Sequence, residues 1–188
     1  MSARRWLLPA ALAVALLQIG FLASMIAGRA AALRDGREVV LSVEPVDPRD
    51  LLRGDYVTLA YNISRLPEDL FEELPADAEG ERTLYVRLKP DAEGIFQPVV
   101  ARFGERPQAS PAADEVDIRG LARPRRGQWV SVRYGIERFY VPEGEGRAIE
   151  RDLRQRAFAM KVAVTQDGAA RIKSFHDGAT MLYAEPLY

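Results

Sequence analysis

Residues 6–28 constrain this chain more than any other stretch. The segment "WLLPAALAVALLQIGFLASMIAG" carries no charge, and Gln18 and Ser24 are its main polar interruptions. Arg4 and Arg5 precede it and Arg29 ends it. A helix needs about 20 apolar residues to cross the hydrocarbon core, and this run supplies them. A cleaved signal peptide has an apolar region of about 7–15 residues, so the longer run reads as an uncleaved anchor. Pro9 falls in the first turns, where a helix tolerates proline best. Trp6 stands at an interfacial position, and Arg4 and Arg5 place the N-terminus in the cytoplasm by the positive-inside rule. The expected layout is a cytoplasmic N-terminus at 1–5, a transmembrane anchor at 6–28, a juxtamembrane linker at 29–37 and an extracytoplasmic domain at 38–188.

Beyond the anchor the pattern changes to period two. "REVVLSVE" alternates as a strand ended by Pro45 and Pro48. "DYVTLAYNIS" puts Val57, Leu59, Tyr61 and Ile63 on one face and Tyr56, Thr58, Ala60 and Asn62 on the other. "RLPEDLFEEL" reads as a short helix with Pro67 at its start and acids in its first turn. "RTLYVRLKPDAEGIFQPVVARF" reads as a hairpin with its turn at "PDAEG". Two or three short strands surround "RPRRGQ". "EGEGRAIERDLRQR" reads as a second short helix, and "AFAMKVAVTQDGAARIKSFHDG" closes with a hairpin turning at Asp167-Gly168. About eight short strands and two short helices predict a mostly β, or α+β, antiparallel domain behind one transmembrane helix.

Charge and cysteine usage remove several function classes. Lys and Arg number 26 against 27 Asp and Glu, with opposite signs interleaved, so no basic face for nucleic acid is legible. The absence of cysteine excludes disulfides and thiolate chemistry. The single histidine, His176, sits in "SFHDG", which reads as a turn after the last strand. A Ser–His–Asp triad would have to use it. "PEGEG" lacks the ending of a phosphate-binding loop, and Glu143, Glu145 and Glu150 lack calcium-loop spacing. No cofactor or metal site is expected.

The stretch "DPRDLLRGDYVTLAY", residues 47–61, is the densest in chemistry. Asp47 and Pro48 read as a turn start, and "PRDLL" as one helical turn. Gly54 can take positive φ where that turn ends, and Asp55 opens the strand. Arg49 and Arg53 are placed to pair with Asp50 and Asp55. "Arg53-Gly54-Asp55" spells an adhesion tripeptide, but it leads straight into an apolar strand and reads as a chance match.

"GDYVTLAY" also fits the pattern G-D-Y-x-x-L-x-Y, and the chain resembles the GDYXXLXY family of bacterial membrane-anchored proteins. "VEPVDPRDLLR" and "YGIERFYVPEGEGRAIE" resemble further segments typical of that family. The resemblance implies a small single-pass protein of the bacterial inner membrane, its domain in the periplasm, acting with a polytopic membrane partner. It carries over no catalytic residue. The binding or structural candidates are therefore Asp47, Pro48, Arg49, Asp50, Arg53, Gly54, Asp55, Tyr56, Leu59 and Tyr61, with Glu137, Tyr140, Pro142, Glu143 and Gly144 in the second segment.

The first functional expectation is an accessory or binding domain that uses these two segments. The alternative is an envelope hydrolase with acid–base chemistry at Asp47, Asp50 and Asp55, although neighbouring arginines favour ionised, structural carboxylates. A weaker similarity links the chain to type I signal peptidases through Ser24-Met25 and "RGDYVTL". It departs from them in having no Pro after the Ser-Met pair and no motif around a general-base lysine.

Overall fold

The computed structural model of the chain describes residues 3–44, 56–75, 79–140 and 156–185. Helix α1, Ala3–Asp35, takes in the apolar run. It is apolar on every side, and Leu7, Leu17, Phe21 and Ile26 are all exposed. The helix is long and apolar enough to cross a membrane, and its apolar run is not buried within the protein. Ser24 satisfies its hydroxyl by donating back to the Phe21 carbonyl (2.7 Å). The helix continues through residues 29–35, and this end turns toward the domain: Ala30 and Leu33 are buried where α1 packs on the sheet. Gly36 then reverses the chain. A Cβ there would lie 2.4 Å from the Ala32 carbonyl oxygen and 3.0 Å from the Ala163 Cβ.

Strands β1 (Arg37–Glu44), β3 (Ala60–Tyr61), β10 (Phe158–Val164), β11 (Ala170–Asp177) and β12 (Thr180–Ala184) make one antiparallel sheet in the order β12-β11-β10-β1-β3. Strands β4 (Arg65–Pro67), β5 (Arg82–Pro90), β6 (Phe96–Phe103), β7 (Val116–Ala122) and β8 (Trp129–Arg133) make a second, in the order β4-β8-β7-β5-β6. A ribbon of β2 (Tyr56–Thr58) and β9 (Arg138–Tyr140) stands beside them. Period-two alternation sends Val39, Leu41, Val43, Met160 and Val162 inward from the first sheet. Leu84, Val86, Leu88, Ile118, Val130 and Val132 point inward from the second, and both sets share one hydrophobic core. The expected antiparallel β-rich domain behind a single apolar helix is what the chain forms.

Several local expectations change. "RLPEDLFEEL" is not a helix. Residues 65–67 form β4, where Leu66 pairs with Val130 and is fully buried, and only a 3-10 turn, Glu68–Leu70, follows. Phe71 returns to extended backbone, forms a bridge to Ala101 and stacks on Phe103 at 5.5 Å. Sheet pairing and two core contacts override an acid-rich local helix signal. "DYVTLAYNIS" keeps its predicted alternation, with Leu59, Tyr61 and Ile63 buried, but it is two strands, because β2 pairs with β9 and β3 pairs with β1. His176 lies inside β11, and the Asp177-Gly178 turn leads into β12, a strand the alternation did not disclose. The second expected helix and the "PRDLL" turn lie outside the described residues.

One buried ion pair was not legible. Arg87 and Asp117 face each other across β5 and β7 and are 3% and 6% exposed. The guanidinium donates through Nε to Oδ1 (2.8 Å) and through Nη2 to Oδ2 (3.0 Å), and Nη1 donates to the Ala109 carbonyl (2.6 Å). This fork holds the 104–115 loop over the outer face of the sheet, and the bond to Asp117 raises the Arg87 pKa further above its ordinary value. Removing one partner of a buried pair strands the other charge. Asp117→Ala should therefore cost about 3–5 kcal/mol in denaturant unfolding of the full chain, whereas Arg87→Met with Asp117→Leu should recover most of that loss. Equal losses in the single and double variants would contradict the pairing.

Candidate functional site

The two sequence segments singled out above meet in space. Tyr56 pairs with Tyr140, Val57 with Phe139 and Thr58 with Arg138 along β2 and β9. The chain thus enters β2 and leaves β9 at paired positions. Asp47, Pro48, Arg49, Asp50, Arg53, Gly54 and Asp55 precede that pairing, and Pro142, Glu143 and Gly144 follow it; all ten lie outside the described residues. The proposed carboxylate cluster of Asp47, Asp50 and Asp55 falls among them.

The remaining candidates form a connected set. At Leu59 the chain passes from the ribbon to the first sheet, and the Leu59 N–H donates to the Glu137 carbonyl (2.8 Å). Two positions on, Tyr61 is fully buried and its hydroxyl donates to the Ile136 carbonyl (2.6 Å). Tyr134 returns the same bond: its hydroxyl donates to the Ile63 carbonyl (2.8 Å). Burial raises the pKa of both phenols, and the Glu137 carboxylate adds to the shift, so both stay protonated donors. The chain folds back at once after Tyr61: its N–H donates to Ser64 Oγ (2.9 Å), and the Ser64 N–H donates to the Tyr61 carbonyl (2.8 Å).

Glu137 serves the turn at 134–137. Its carboxylate accepts the Tyr134 and Gly135 amides, the latter at 3.0 Å. Gly135 has φ +80°, a backbone state that side chains disfavour and that lets both amides point at one carboxylate. Leu59, Tyr61 and Glu137 are thus satisfied by backbone groups of the fold itself. Tyr134 belongs in the same set and was missed as an individual residue. The legible signal was a Tyr-Gly pair two residues before an acid, the composition of a side-chain-closed turn.

That turn forms one wall of a cleft of about 750 Å³. The second sheet lines it with Tyr85, Arg119, Leu121 and Arg133, and residues 169–171 close the far side. The cleft exists because β7 and β8 pair only at Leu121–Arg133 and Ala122–Val132. Two residues before Leu121, the Arg119 N–H turns instead to the Gly168 carbonyl (2.8 Å) in the β10–β11 turn. Gly120 stands at the split, where a Cβ would lie 2.6 Å from Val132 Cγ1. Arg119 is ion-paired with Asp167 (3.2 Å) and Arg133 with Glu81 at the rim. The cleft therefore combines exposed cations, acids and an exposed leucine.

His176 makes one notable contact, from Nε2 to Ser174 Oγ at 2.7 Å. Burial and the nearby Lys161 ammonium lower its pKa below 6.5. A nucleophilic triad also needs an orienting acid. The neighbouring carboxylates are otherwise engaged: Asp177 with Arg156 (2.7 Å), and Glu38 with Lys161 (3.2 Å) and Lys173 (2.9 Å). Ser174 is 8% exposed. The pair reads as a satisfied polar contact on the sheet.

An N-terminal apolar helix, an antiparallel two-sheet domain and a strand ribbon joining the two marked segments define a helix-tethered β domain. The chain belongs to the GDYXXLXY family: the model described as "GDYXXLXY protein" matches residues 18–175. Searches of curated proteins and of solved structures found no match. Leu59 and Tyr61, the last two named positions of the G-D-Y-x-x-L-x-Y stretch in this chain, hold the 134–137 turn.

Tyr61→Phe should keep the fold while leaving the buried Ile136 carbonyl without its donor. The expected loss is about 1–3 kcal/mol in chemical denaturation. No loss would mean that this hydroxyl does not hold the turn.

Proposed function

We propose that this chain is a membrane-anchored, extracytoplasmic binding domain that works with a polytopic membrane or envelope partner. The observation that carries the reading is the way α1 joins the domain. The last turns of the helix dock on the sheet through Ala30 and Leu33, and Arg29 pairs with Glu185 at 3.0 Å. A domain held this way stays close to the surface from which its helix emerges, within reach of a membrane-embedded neighbour. Arg4 and Arg5 favour an N-in orientation, with the domain in the periplasm.

Binding rather than chemistry is supported by how the marked residues are used. Leu59, Tyr61 and Glu137 spend their polar groups on the 134–137 turn, which shapes a cleft and leaves none of the three with a group poised for reaction. Leu121, exposed in that cleft, supports taking the cleft as the partner-facing surface.

A photocrosslinking residue at Leu121, in the full-length protein within its native membrane, tests the reading. The expected result is a stoichiometric crosslink to one polytopic protein, identified by mass spectrometry, and none from the same probe at Val99 on β6. A folded, membrane-retained protein that crosslinks at neither position would overturn the proposal.

A further inference from the structure

The end of α1 also fixes which side of the domain faces the bilayer. Arg29 is the first charge after the apolar run, so it marks the boundary where the helix leaves hydrocarbon. Its guanidinium donates to Glu185, 3.0 Å away. Glu185 directly follows β12, and its N–H donates to the Lys173 carbonyl of β11 (2.8 Å). Seven residues later, Gly36 lies against Ala163 and Val164 of β10. Between these points Ala30 and Leu33 are buried as α1 crosses β11 and β10.

The contacts give the direction. From Arg29 at the β12 edge the helix passes over β11 and β10 before Gly36 leads into β1 on the far side of β10. The helix therefore runs obliquely across the strands rather than along one of them. Followed backward from Arg29, it passes the β12 edge and runs into the bilayer, so β12 is the strand nearest the membrane.

The surface of β12 fits that position. It is an edge strand whose pairing, among the described residues, is with β11 alone. Its register shifts where Phe175 gives way to His176, which makes Leu182 an extra residue beside Met181. The two neighbours are 59% and 39% exposed. An exposed edge with paired apolar side chains invites aggregation in water. In the headgroup layer it is stable: the apolar side chains reach the acyl boundary, and free backbone groups still find water and lipid polar groups.

We propose that β12 rests on the bilayer into which α1 runs, with Met181 and Leu182 inserted at the headgroup–acyl boundary. This rests on the anchor reading above. It makes the domain a body that lies down on the membrane and turns its other edges, including the cleft at Arg119 and Arg133, toward neighbours.

The chain has no cysteine, so single labels can be placed without further change. Nitroxides at Met181→Cys and Leu182→Cys are compared with Leu16→Cys in the anchor and Val99→Cys on the opposite sheet. The full chain is reconstituted in phosphatidylcholine vesicles, and collision with oxygen and with a water-soluble nickel chelate is measured. The expected result is that labels at 181 and 182 gain oxygen contact and lose nickel contact relative to 99, while 16 reads as hydrocarbon. Labels at 181 and 182 as water-exposed as 99, with 16 in lipid, would overturn this inference and leave the anchor standing. A label at 16 in water would overturn both. Labels at 181 and 182 shielded from both reagents would mean that a second copy covers β12, which also overturns the proposal.

Discussion

Two tyrosine hydroxyls hold the crossing point of this fold. Between Leu59 and Ser64 the chain leaves the β2–β9 ribbon, pairs briefly with β1 and enters the second sheet at β4. A chain changing sheets breaks its ladder, and a buried carbonyl without a donor is costly. Tyr61 donates to the carbonyl of Ile136, and Tyr134 donates to that of Ile63. Each hydroxyl serves a carbonyl next to the other tyrosine's segment, so the two crossing strands hold each other. The bond from the Leu59 amide to Glu137, and Glu137's own hold on the 134–137 turn, complete the knot. It fixes the place where the first sheet, the second sheet and the cleft wall meet.

In this chain the knot gives Leu59 and Tyr61 a structural use. The Leu position is buried at the point of transfer, and the final Tyr must be long enough to reach across the core and polar enough to donate there. Phenylalanine would fill the space but leave Ile136 without its donor. Leu59 and Tyr61 of this chain thus serve backbone hydrogen bonds at a sheet crossing.

Much of this architecture was legible before any coordinates. The apolar run and the alternation of β1, β5, β6, β10 and β11 depend only on side-chain periodicity, which sequence displays directly. What escaped depends on distant partners. Residues 65–71 carry local helix signals, yet Leu66 is claimed by Val130 and Phe71 by Phe103. β12 has no clean alternation because of its register shift, so "TMLYA" gave no strand signal. The buried pairing of Arg87 with Asp117 escaped, because nothing in the sequence says that a loop will close over them. The marked tyrosine and glutamate positions were found, but their roles follow only from which carbonyls and amides the fold brings to them.

The crossing also bears on how the domain meets its helix. A crossing held by buried hydrogen bonds joins the two sheets, and the last turns of α1 dock on the first of them through Ala30 and Leu33. Amide hydrogen exchange at Leu59, in the full chain in detergent micelles, tests the knot most directly. If its bond to Glu137 is part of the global core, this amide should exchange as slowly as Val86 in the centre of β5, through whole-domain unfolding. Exchange as fast as that of Glu93 in the β5–β6 turn would contradict the account and make the crossing a locally opening joint.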